Sequence, residues 1–515
     1  MTIKSRLLLY NNISMITSTI KKISFFLLCF ILVAGCSSIY NTSTLQNDSI
    51  DYYPDKITDL KIEGSTKAII AINTSTNYGS QESAGNSPLK TSGSPFQHTH
   101  ISHKKENATH FCATNLSQPI IPPFNKSFAK HQSQPSQLTV DPDEVRFYDE
   151  ALSQATGQDE YITAVKVGSN DTCVIYVEKS WYESEELASH TIFSTTRDSI
   201  LAYFQDQIVP NAKTALGDTI GSVTDVDNNN KVILFFTSMP SENFAGYVWS
   251  INLFSPTRTD AEKSNHKEIL FINKNIINLE KIDTESYKHV IAHEYAHLLG
   301  QSYRYKKHNY NFSYHTWIEE GIAEGLTPIL SAKETILKKS FTSLNEAKDG
   351  DGFLKTGKSI PAFTYQLSYT FLEYCRLQLN QQASFYKDLI THSGESGKTN
   401  YGLSGINDYV VLDNMILEHN PEKDKSAILN FEDALISYKI ANFVKHPSNK
   451  YGYKNHIYST FIPTLEPPST LLPSLEASGS IYYISGNTYS ESAIDTFIPS
   501  NTDENIKFFR ITPLE

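Results

Sequence analysis

Several residue types are scarce in this chain of 515 residues: five cysteines, four methionines and three tryptophans. So few thiols over such a length exclude a disulfide-stapled scaffold. Positive charge is also short, with 44 Lys+Arg against 56 Asp+Glu and a formal net charge of −12. Duplex binding needs clustered Lys and Arg to displace counterions, so nucleic acid is not expected as a partner. At 19% charged and 39% hydrophobic, the chain is neither a multi-span membrane protein nor a highly charged disordered polymer. What is plentiful is aromatic: 30 Tyr and 27 Phe can build a large core. The length suggests about two to four folding units.

The first 36 residues read as an address. Lys4, Arg6, Lys21 and Lys22 occur with no acid, and an apolar run of about eleven residues from Ile23 to Val33 follows. That run is too short for a permanent membrane span. It ends in Val33-Ala34-Gly35-Cys36, which resembles a bacterial lipobox whose cysteine takes a diacylglycerol. The reading is a lipoprotein signal peptide over 1–35, possible from Met15 as the start, and lipidation at Cys36. Cleavage would leave 40 basic and 56 acidic residues, a net −16, so attachment to the membrane would rest on acyl chains and not on a basic patch. Ser37 in place of Asp resembles the sorting signal for the outer membrane of a Gram-negative envelope. Cys112, Cys173 and Cys375 remain, enough for one internal disulfide whose pairing the sequence does not give.

Residues 36–142 are dominated by Ser, Thr, Asn, Gln and Pro and are expected to form a disordered linker with little core. His98, His100, His103 and His110 within it read as solvated side chains. From 143 the texture changes. Glu144 to Leu152 is expected to be helical, and Ser194 to Ile208 as well, stopping near Pro210. Strands are expected at Cys173–Val177, Lys231–Phe236, Ala245–Trp249 and Glu268–Ile272. The acids of Asp225-Val226-Asp227 could hold calcium, but the full EF-hand spacing is absent, which favours a polar turn before a strand. After residue 283 the chain turns helical to about 445. Strands followed by helices predict an α+β domain over 143–450. The tail, 451–515, alternates polar and β-prone residues and is expected to form a small β module.

Chemistry concentrates in His289-Val290-Ile291-Ala292-His293-Glu294-Tyr295-Ala296-His297. The segment favours helix, with Asp283 placed to cap its start and Gly300 at its expected end. On a helix His293 and His297 share one face, and their imidazoles can converge on one ion. Glu294 is offset around the helix, where a carboxylate reaches water beside an ion and not the ion itself. A third ligand is then needed. Thr316-Trp317-Ile318-Glu319-Glu320-Gly321-Ile322-Ala323-Glu324 follows, its Thr316 and Glu319 in capping-box spacing and its Glu320 and Glu324 on one face of a second helix.

Trp317-Ile318-Glu319-Glu320-Gly321 resembles the element that supplies a glutamate ligand in gluzincin metallopeptidases. The resemblance implies Zn2+ held by His293, His297 and Glu320, with Glu319 as the rival acid and Glu324 holding a zinc histidine. Ile360 to Tyr374 resembles the helix start that carries an oxyanion-facing tyrosine; Tyr365 is the match, His315 a rival, and Tyr365 with Tyr369 could instead be core aromatics. The order of Ile175–Glu178, Gly246–Trp249, Ser264–Ile272 and the His-rich helix is similar to the hyicolysin family of bacterial neutral zinc metallopeptidases over about 170–410, with Leu471–Pro473 as a further short match.

This likeness implies a zincin-like fold, a twisted and mostly antiparallel sheet followed by a helical subdomain. It also implies an endopeptidase with Glu294 as general base, acting on protein or peptide substrate stretched along an edge strand; Ala245–Trp249 is the candidate, a buried strand being the equal alternative for that run. Two other readings stand beside it: a binding lipoprotein with zinc but no turnover, and a zinc amidase acting on cell-wall material.

Overall fold

The computed structural model describes residues 57–62, 65, 67–74, 111–112, 144–184, 191–240, 244–254, 263–277, 285–308, 316–332, 353, 362–391, 408–454, 478, 480–484 and 505–513. Cys36, the signal segment, His98, His100, His103, His110, Asp283, His315 and Leu471–Pro473 lie outside these residues. The architecture is mixed α and β. In chain order the elements begin with β1 (Ile57–Ile62), β2 (Ala68–Asn73), β3 (Phe111–Cys112) and β4 (Glu144–Tyr148). Then come α1 (Glu150–Thr156), β5 (Tyr161–Ser169), β6 (Cys173–Glu178), α2 (Lys179–Tyr182), α3 (Thr191–Tyr203) and α4 (Val209–Leu216). Next are β7 (Val232–Thr237), β8 (Phe244–Tyr247) and β9 (Ile269–Asn273). The helical part follows: α5 (Glu285–His308), α6 (Thr316–Ser331), α7 (Ala362–Gln378), α8 (Ser384–Thr391), α9 (Asp408–His419) and α10 (Phe431–Val444). The last strands are β10 (Ser480–Ile484) and β11 (Ile506–Pro513).

Seven strands form one sheet in the order β3-β8-β9-β7-β6-β5-β4. It is mixed, not mostly antiparallel as expected. β6, β7 and β9 run parallel, as do β3 and β8, while the other neighbours are antiparallel. Central strands are apolar on both faces because both are covered. Cys173, Ile175, Val177, Leu234, Phe236, Leu270 and Ile272 pack under the helices, and Val174, Ile233, Phe235, Ile269 and Phe271 pack with Phe147, Tyr148 and Trp249 on the other side.

Three local expectations are corrected. Glu144–Tyr148 is a strand paired with β5, and the helix starts only at Glu150, where Asp149 Oδ1 accepts the Leu152 N–H at 2.9 Å. Pro210 does not stop the helix before it: α3 runs through a π turn over Phe204–Ile208 into α4, and Pro210 sits in the first turn of α4. Gly300 does not end α5, which continues to His308. Arg304, one turn beyond, is buried against α6 in a 2.6 Å ion pair with Glu319, and this outweighs the roughly 1 kcal/mol cost of an interior glycine.

The fourth correction concerns the linker and the tail. β1 and β2 lie inside the expected linker, yet they complete a four-stranded sheet ordered β1-β11-β2-β10. β11 pairs parallel with β1 and antiparallel with β2, and β10 pairs antiparallel with β2. Ala68 to Ile72 are fully buried. The tail strands therefore do not form a module by themselves; they need chain from 400 residues upstream. Ala68-Ile69-Ile70-Ala71-Ile72 is a short apolar run of the kind that marks a buried strand, and it outweighs the polar composition around it. The sheet is fastened to α10, where Tyr482 OH donates to the Lys439 carbonyl at 2.9 Å.

Candidate metal centre

α5 packs on β8 and β9 and against α6. The close approach of α6 to its other neighbours depends on two glycines. A Cβ at Gly321 would come within 2.6 Å of Leu372 on α7, and one at Gly325 would overlap the Tyr386 ring on α8. With those faces pressed into the bundle, the face carrying Glu320 and Glu324 is held toward α5.

There the predicted ligands meet. His297 Nε2 lies 3.1 Å from His293 Nε2, and Glu320 Oε2 lies 3.2 Å from His293 Nε2 and 3.4 Å from His297 Nε2. A tetrahedral zinc site with bonds of about 2.0–2.1 Å has ligand atoms about 3.3–3.4 Å apart. The triangle of donors thus has the size such an ion requires, and all three residues are buried. The group could hold a metal ion. Glu319, the rival acid, points elsewhere, into the ion pair with Arg304.

The electrostatics are those of a negative pocket. Burial alone would lower the His293 pKa, but the Glu320 hydrogen bond and the charges of Glu324, Glu320 and Glu294 raise it to about 9. Burial would raise the Glu320 carboxyl; the His297 charge and the bonds to both imidazoles outweigh it and hold it at about 2. Desolvation raises the pKa of Glu324 despite the opposing His293 charge. Glu324 Oε1 stands 3.5 Å from His293 Nδ1, the ring nitrogen facing away from the other donors, a place from which a carboxylate orients a ligating ring.

Glu294 is fully buried, beside the donors. Its neighbour across the helix–sheet interface is Gly246 of β8: a Cβ there would meet Glu294 Oε1 and Cγ at 3.2 Å and the Phe271 carbonyl oxygen at 2.8 Å. Tyr365 is buried in the first turn of α7. Gln366, the next residue, acts through its side chain to lower the Glu324 carboxyl against the effect of burial, so this turn of α7 bears on the centre. Tyr369 is a core side chain.

Sequence reading missed four participants. His289 lies within 4.8 Å of His293 and Glu324 through its ligand atoms, and its spacing four residues before His293 was a visible signal. Gly246 was signalled by a glycine inside a strand, which often marks close approach. Gln366 and Arg304 carried no signal, since polar residues on helices are usually solvated.

Away from the centre, Asp225, Asp227 and Glu268 bring carboxylate oxygens within 4.8 Å of one another. Lys267 Nζ lies 2.6 Å from Asp227 Oδ2, so a lysine supplies positive charge there. Cys173 and Cys375 are both buried free thiols. Among the described residues no helix is long and apolar enough to cross a membrane.

No protein-family model matches this chain, and no curated protein does.

Proposed function

We propose that the chain is a zinc-dependent endopeptidase with a zincin-like domain, similar to the hyicolysin-type gluzincins, acting on protein or peptide substrate at the bacterial cell envelope and anchored through lipid at Cys36. The observation that carries the reading is the buried triangle of two imidazole nitrogens and one carboxylate oxygen from separate helices, with Glu294 one residue from the first ligand. The donor set favours zinc over calcium or magnesium, which take oxygen ligands.

Zinc held by His293, His297 and Glu320 would act as a Lewis acid and acidify water at its open position. Glu294 is the group to accept the proton of the attacking water and deliver it to the leaving amine. Tyr365 would donate its hydroxyl hydrogen to the substrate carbonyl oxygen as negative charge develops there. An extended substrate would add to the sheet along β8, the strand whose Gly246 lies against Glu294.

Metal analysis and casein turnover of Glu294→Gln test this. One zinc per chain should remain, and turnover should fall at least about hundredfold, the scale of general-base loss. Undiminished turnover removes Glu294 as the base; a parent chain that holds zinc and cleaves no peptide bond sinks the peptidase reading.

A further inference from the structure

The residues of the candidate centre are buried, Glu294 0% and His297 2% exposed. A hydrolase must admit substrate to these groups. The strand beside them, β8, has one edge bonded to β9 and the other to β3. β3 is only Phe111–Cys112, a two-residue segment from a stretch whose nearest described neighbours in the chain are β2 and β4. It runs parallel to β8, with Phe111 opposite Phe244 and Cys112 opposite Gly246.

Gly246 is also the residue whose α-carbon lies against Glu294. The backbone of Cys112 therefore passes about one strand spacing, roughly 4.8 Å, from the residue that covers the proposed base. An extended peptide adding to this sheet would need the same backbone groups of β8, and they are already engaged.

We propose that β3 is an internal occupant of the substrate edge, which keeps the site closed to extended peptides until it is displaced or cut away. This rests on the peptidase reading for its purpose and goes beyond it by naming the site's regulation. Two features make the occupant removable. The pairing is short and its register is irregular between Phe111 and Cys112. It is also parallel, the slightly weaker arrangement per residue, so a longer peptide entering antiparallel to β8 would pair better. Such a peptide would run in the opposite sense to β3, so the groups that cleave it would meet the β3 backbone with reversed polarity.

The test compares the zinc-loaded mature chain with Phe111→Pro/Cys112→Pro, which removes both amide donors of β3. Phe111→Gly/Cys112→Gly serves as a second variant in case the first fails to fold. Amide exchange of β8 is read by mass spectrometry. Binding of a fluorescein-labelled octapeptide with the sequence of residues 108–115, serine replacing the cysteine, is read by anisotropy.

The expected result is at least about tenfold faster exchange in β8 and at least about tenfold tighter peptide binding in the variants than in the parent. Equal exchange, or equal affinity, overturns the proposal. So does a parent that cleaves casein as fast as the variants. Neither binding nor exchange requires turnover, so failure of the peptidase reading shows separately, as zinc-loaded chains that all leave casein intact.

Discussion

Helices α5 and α6 meet at two buried charged contacts, and the two are built on opposite terms. Near the end of α5, Arg304 faces Glu319 at 2.6 Å, one charge of each sign. Two turns earlier, Glu294, Glu320 and Glu324 gather around His293 and His297, three carboxylates against two imidazoles. The first contact pairs opposite charges and fastens the helices. The second is short of positive charge, which a divalent cation would supply. Adjacent residues on α6, Glu319 and Glu320, thus go to different ends because one residue is about 100° of helical turn.

The comparison breaks if Glu320→Ala still retains added zinc. The expected outcome is near-complete loss of bound metal after gel filtration in metal-free buffer, because two imidazoles alone do not complete a site. Unchanged zinc content would place the third ligand elsewhere. The fastening contact should fail differently. Arg304→Met leaves Glu319 buried without its partner and should cost about 3–5 kcal/mol in urea unfolding, while Arg304→Met with Glu319→Leu should recover most of it. A single variant as stable as the parent would show that the ion pair does not fasten the helices.

Another buried acid, Glu268, sharpens the contrast: the Val226 N–H donates to it, and it has no proposed role. Burial raises Glu268 to about 7, assisted by the charges of Asp227 and Asp225 and opposed by the Val226 N–H. A carboxyl raised in the folded state favours folding below its unfolded pKa of about 4.5, and this contribution is lost as pH rises through about 7. The parent should therefore lose up to about 3 kcal/mol relative to Glu268→Gln between pH 4.5 and 7.5, read as the pH dependence of the difference in unfolding free energy. A flat difference would mean that Glu268 titrates normally.

The smallest effect belongs to Glu324, which faces His293 Nδ1 from outside the donor triangle. Glu324→Gln should weaken zinc affinity about 10- to 100-fold by competition titration with a chelator. No change would reduce Glu324 to a packing residue.

Much of the centre was legible because its residues obey helical spacing. His293 and His297 are four apart, Glu320 and Glu324 are four apart, and each pair falls on one face of a helix observed at that place. The strands Cys173–Val177, Lys231–Phe236 and Glu268–Ile272 were legible as apolar runs, within a residue or so of β6, β7 and β9. Sheet direction was not, since a run buried on both faces does not encode whether its neighbour is parallel. Gly300 misled because a helical glycine is a stop signal only when nothing beyond it is buried, and Arg304 is. β1 and β2 were hidden by averaging: two six-residue strands vanish in the composition of a long polar stretch, although Ala68–Ile72 by itself has no polar side chain.

The sheet that joins β1 and β2 to β10 and β11 also sets a leash. Were the whole of 36–142 slack, residue 143 could lie more than about 300 Å from Cys36, at roughly 3.3–3.6 Å of reach per residue. Because Ile57 is paired with Phe508, the covalent reach from Cys36 to this sheet is 21 peptide units, at most about 75 Å. Were Cys36 lipidated as proposed, the β1–β11 pair would therefore lie no farther than that from the acyl chains.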